Sequence, residues 1–157
     1  MTTTAHPRTR SFATLLDRDL GRLETEVRAY PDDAALWIEA GDIPNSAGTL
    51  ALHLAGNLQH FVGALMGNTG YVRDRPREFG ARDLSRSELL EEIASARRAV
   101  AATLGAMDDA ALERPWTGGG PLDEGATTEM MLTHLAGHLN YHLGQINYHR
   151  RILAAAD

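Results

Sequence analysis

The chain of 157 residues contains no cysteine and no lysine. The first absence excludes a disulfide framework, a thiolate metal site and a cysteine nucleophile. The second excludes Schiff-base chemistry and a phosphate-loop lysine, so all 15 basic side chains are arginine. Aromatic residues are sparse, at 6%. No run approaches the roughly 18 consecutive apolar residues of a membrane span. Residues Met1 to Arg10 lack the apolar stretch of a secretory signal, and a cytoplasmic protein without membrane contact is the expectation. A net charge of −6 offers no basic face for nucleic acid.

What is present is ordinary for a globular domain, with 43% apolar and 23% charged residues. The length suits one domain, 1–157, with residues 1–10 expected as a flexible tail. Apolar residues recur at helical spacing in four places. Phe12, Leu15, Leu16, Leu20, Leu23 and Val27 mark a helix over about 11–30, which Tyr30-Pro31 ends. Ser46 can cap a second, about 47–67, with Leu50, Leu54, Leu58, Phe61 and Leu65 on one face. Ser85-x-x-Glu88 is a capping box that opens a third, ending near Leu104. Thr127 or Thr128 starts the fourth, which runs to about Leu153. The stretch 71–84, YVRDRPREFGARDL, reads as too polar and broken for regular structure. The expected fold is all-α, a four-helix bundle with a long crossover connection between the second and third helices.

Seven histidines stand out. His138 and His142 are four residues apart on the last helix, so their Cβ atoms lie about 5–6 Å apart on one face. On a helical wheel set by Leu135, Leu139, Ile146 and Leu153, His142 falls inside the apolar stripe, His138 on its shoulder and His134 at its edge. His53 and Asn57 flank the stripe of the second helix in the same way. Two imidazoles from one helix and one from another would leave positions open, the arrangement of a catalytic metal site. The competing reading is that buried histidines are hydrogen-bonded within the core. His60, His134 and His149 read as packing or outer-layer residues, and His6 as part of the tail.

The strings IPNSAGTLALHLAGNLQHFVG (43–63), GYVRDRPREF (70–79) and HLAGHLNYHLGQINYHRRIL (134–153) resemble the DinB-like superfamily, which includes metal-dependent thiol S-transferases and mycothiol-dependent maleylpyruvate isomerase. The most specific element is H-x-x-x-H-x-G-Q, here His138, His142, Gly144 and Gln145. The resemblance implies a four-helix bundle binding one divalent metal through His53, His138 and His142; imidazole ligands suit zinc or nickel. It implies a small thiol such as mycothiol or bacillithiol as nucleophile, and a homodimer. Val62 and Leu143, apolar positions outside the main stripes, are candidates for such an interface.

Around that set, Asn57, Tyr71, Tyr141 and Gln145 are candidates for orienting substrate. Arg73, Arg75 and Arg77 could bind carboxylates of the thiol or its co-substrate. The alternative for these arginines is a solvated loop paired with Asp74 and Glu78. Three functions remain open: a thiol S-transferase, a hydrolase using metal-activated hydroxide, and a non-enzymatic stress-associated dimer with a structural metal.

Overall fold

A computed structural model describes residues 6–156. Five α-helices are present and no β-strand is formed among the described residues: α1 (Pro7–Arg28), α2 (Ala47–Leu58), α3 (Arg75–Gly80), α4 (Arg86–Ala106) and α5 (Thr128–Ala155). Four are long, and the all-α expectation holds.

Helix α1 begins four residues earlier than its apolar period suggests. Pro7 sits in the first turn, where its missing N–H costs nothing. Asp109, from the 3₁₀ turn after α4, then accepts hydrogen bonds from the backbone N–H of Thr9 at 2.9 Å and of Arg8 at 3.2 Å. A remote carboxylate thus caps the positive end of α1. Residues 7–10 are therefore helical rather than tail, and His6 Nδ1 accepts from the Asp109 N–H. The first five residues of the expected tail lie outside the described residues.

Helix α2 is buried on every side from Ala47 to Leu58. Ser46 accepts from the Thr49 N–H and starts it. Gly48 lets the Trp37 ring lie against the helix, since a Cβ there would be 2.8 Å from the ring. From Gln59 to Met66 the helix continues with wider π-type turns. That change of pitch rotates the following residues. Leu65 consequently leaves the stripe and is exposed, while Val62 turns inward and is fully buried. Leu143 is 8% exposed and also belongs to the core, so neither Val62 nor Leu143 is free for an interface between subunits.

Round the bundle, α1 packs on α4 and α5, and α2 packs on α4 and α5. The link between α2 and α4 runs back from the C-terminal end of α2 to its N-terminal end, the expected crossover: Gly67 lies against Thr103 near the end of α4, whereas Leu84, just before α4, accepts from the Trp37 ring that rests on Gly48. Its extra length forms α3, which folds back onto α2. The stretch 71–84 is thus not irregular throughout. Asp74 caps α3 by accepting from the Arg77 N–H, and Pro76 occupies its first turn. Both halves of the Ser85–Glu88 capping box form and start α4. Thr127 caps α5, and an isolated bridge from Pro115 to Thr127 closes the loop before it.

Candidate metal centre

Three side chains meet where α2 faces α5. His53 stands midway along α2; His138 and His142 lie one turn apart on α5. His53 Nε2 and His138 Nε2 are 3.2 Å apart. One nitrogen from each of His53, His138 and His142 falls within 4.8 Å of the other two. The His53 ring centroid lies 5.1 Å from that of His138 and 5.4 Å from that of His142.

The far side of each ring decides which nitrogen is free. His53 Nδ1–H donates to Glu78 Oε1 at 3.0 Å, which leaves the Nε2 lone pair directed at the cluster. His142 Nδ1–H donates to Gln145 Oε1 at 2.7 Å, with the same consequence. His138 Nδ1 is buried without a partner. For His53 and His142 this is the pattern in which outer hydrogen bonds fix the tautomer of metal-ligating imidazoles. Two ligands on one tetrahedral ion, each at about 2.0–2.1 Å, lie about 3.3 Å apart, close to the His53–His138 spacing. The three imidazoles fit a divalent ion and could hold one.

The surroundings favour the neutral form of the two α5 imidazoles. Burial, then the neighbouring His142, His53, His134 and Arg73, push His138 down to about 4. Burial also lowers His142, against the Gln145 hydrogen bond that raises it. Only neutral imidazole coordinates, so these shifts favour ligation near neutral pH.

Glu78 is the residue that sequence reasoning missed. Taken for the partner of a solvated arginine, it is 2% exposed. Burial alone would raise its carboxyl, but hydrogen bonds from Arg73 and His53 outweigh that and hold it below the usual range. Arg73 Nε and Nη2 each donate to it at 2.8 Å, a two-pronged clamp. Its position depends on Gly56: a Cβ there would come within 2.6 Å of Glu78 Oε2. The signal available in the sequence was Gly56 itself, a helix-weakening residue inside an apolar helix.

The histidines line a cavity of about 550 Å³. Of the candidates read from sequence, Asn57, Arg73 and Arg75 line it with them; Tyr71, Tyr141 and Gln145 do not. Tyr141 is 65% exposed, with its ring 5.2 Å from that of His142. Tyr71 is half-buried on the α2–α4 link, and burial raises its hydroxyl pKa. Arg77 pairs with Glu92 at 2.8 Å, outside the cavity. His134 does line the cavity and stacks on His138, with centroids 5.9 Å apart. His149 is wholly engaged elsewhere: Nδ1 meets the Tyr30 hydroxyl at 2.7 Å and Nε2–H donates to Ile38 O at 2.8 Å.

A sequence profile described as DinB superfamily matches residues 15–146, a span that holds all three converging histidines. The chain belongs to the DinB superfamily. No curated protein matches it closely enough to count as a relative. Superfamily membership carries the helical fold and agrees with a histidine site between α2 and α5. No helix among the described residues is long and apolar enough to cross a membrane.

Proposed function

We propose that this DinB-superfamily protein is a metal-dependent enzyme in which His53, His138 and His142 hold one divalent ion, zinc or nickel, and that it transfers a small cellular thiol to an electrophilic substrate. The observation that carries the reading is the convergence of three imidazoles, two of them locked from behind by Glu78 and Gln145, in the lining of an open cavity. A structural ion would be closed off by a fourth protein ligand, and no fourth His, Asp or Glu joins this cluster among the described residues. When bound, the ion supplies Lewis acidity that lowers the pKa of a thiol or a water in the cavity.

The chain's own residues do the rest. Glu78 and Gln145 hold His53 and His142 in the tautomer that presents Nε2. Arg73 keeps Glu78 ionised and in place. Leu50, Phe61, Phe79 and Pro121 provide apolar wall that limits water. In the transfer, the thiol gives up its proton, a new S–C bond forms, and the leaving group departs from the same carbon with its electron pair. A homodimer, as the resemblance implies, is part of the proposal, and sedimentation at micromolar concentration reads it.

Turnover of zinc- or nickel-loaded protein on activated electrophiles, with and without a small thiol, tests the reading. Rates that saturate in thiol and vanish in His142→Ala support it. Thiol-independent hydrolysis would replace the transferase with a hydrolase at the same histidines. Failure of the protein to retain any divalent metal would remove both.

A further inference from the structure

The histidines account for only part of the cavity lining. Beside them stand Asn57, Arg75 and the rings of Phe61 and Phe79, the last 4.9 Å from the His53 ring. The arginines of this segment differ in what they meet. Arg73 is committed to Glu78 and Arg77 to Glu92. Arg75 makes no ion pair among the described residues; its guanidinium sits over the Phe79 ring, 5.0 Å from the centroid. The neighbouring acid, Asp74, is turned back to cap α3 through the Arg77 N–H.

No carboxylate lines the cavity. Glu78 stands behind His53, and Arg73 neutralises it. In a chain of net charge −6, this leaves a local excess of positive charge at the cavity mouth before any metal is added. Aromatic stacking holds the Arg75 fork while leaving its N–H edges for a planar anion.

Asn57 supplies a second, independent sign. It is 7% exposed, it stands one turn after His53 on α2, and its buried Oδ1 has no hydrogen-bond partner. An unpaired buried amide oxygen costs stability in the free protein. Such an atom beside a cavity is matched by a donor that arrives with a ligand.

We infer that the cavity takes a small molecule bearing a carboxylate, bound by Arg75, an N–H or O–H that donates to Asn57, and an apolar body seated between Phe61 and Phe79. The inference rests on the same cavity as the proposed function and names its substrate class. It does not need the metal, because every group it uses belongs to the chain.

Hippurate carries all three features, and its primary amide, hippuramide, lacks only the charge. Both are titrated calorimetrically into the protein, once metal-free and once zinc-loaded, with metal content measured separately. Hippurate should bind at least about tenfold more tightly than hippuramide in both forms. Arg75→Gln should bring the two within about twofold of each other while leaving metal content unchanged. Asn57→Leu should weaken both probes alike, because the N–H is common to them. A preference that survives Arg75→Gln, a preference seen only with zinc present, or no binding of hippurate at millimolar concentration would each overturn the inference. Loss of metal binding with the Arg75-dependent preference intact would instead count against the metal centre alone. The two failures are therefore separable.

Discussion

Helix α5 carries two kinds of buried histidine, barely two turns apart. His149 is 4% exposed, and both its nitrogens are answered by protein groups, the Tyr30 hydroxyl and the Ile38 carbonyl. His138 and His142 are partly buried, and their free nitrogens face one another and His53. Burial alone does not separate the two cases. What separates them is whether the inner nitrogen meets a protein donor or acceptor, or only other imidazoles. The first arrangement is a closed hydrogen-bond circuit that stitches α5 to the turn after α1 and to the connector before α2. The second is a set of lone pairs held together by Glu78 and Gln145 from outside, which is stable only when something shares them.

The sharpest way to break the comparison is to remove the inner set. His53→Ala, His138→Ala and His142→Ala should each abolish stoichiometric metal retention, read by elemental analysis after dialysis, while far-ultraviolet circular dichroism stays helical. Glu78→Gln should weaken metal affinity by about 10–100-fold, the range typical of lost outer-layer partners. A competitive chelator titration measures it, and an unchanged affinity would mean that His53 needs no such support.

The outer histidine should behave in the opposite way. His149→Phe leaves the Ile38 carbonyl without its donor, while the Tyr30 hydroxyl keeps only the Ile146 carbonyl, so stability should fall by about 1–3 kcal/mol in urea while metal content is unchanged. A loss of metal with little loss of stability would erase the distinction.

Acid sharpens it further in the metal-free protein. Folding holds His138 at about 4 against an ordinary 6.5, so below 6.5 the unfolded chain takes up a proton that the folded chain resists. Stability should therefore fall between pH 6.5 and about 4.5, before the lowered carboxyls of Asp19, Glu26 and Glu78 contribute their own acid loss. His138→Phe should flatten that part of the profile. The smallest effect is expected for His134→Ala. His134 lines the cavity but stands outside the converging set, so metal affinity should change by no more than about twofold.

Much of this was legible in the sequence because helices write their geometry locally. The Ser85–Glu88 box, the Ser46 and Thr127 caps and the four-residue spacing of His138 and His142 all survive into the structure. What was illegible depends on partners distant in sequence. Asp109 extends α1 by capping it across about a hundred residues. Glu78 looks like any surface acid until Gly56 is seen to make room for it. The π-type turns after Leu58 leave no mark on an α-helical wheel, so Val62 and Leu65 exchanged places relative to expectation. The length of the link after α2 announces a crossover, but not that the crossover carries α3 and the Arg73–Glu78–His53 chain.

The most direct test of the comparison is a zinc titration of the metal-free protein followed by the imidazole ¹⁵N resonances of every histidine. The account predicts saturation at one ion per chain, with His53, His138 and His142 shifting together at Nε2 while His134 and His149 keep their tautomers. If His134 shifts in place of one of the three, or if no resonance saturates, the three-histidine centre does not exist as described.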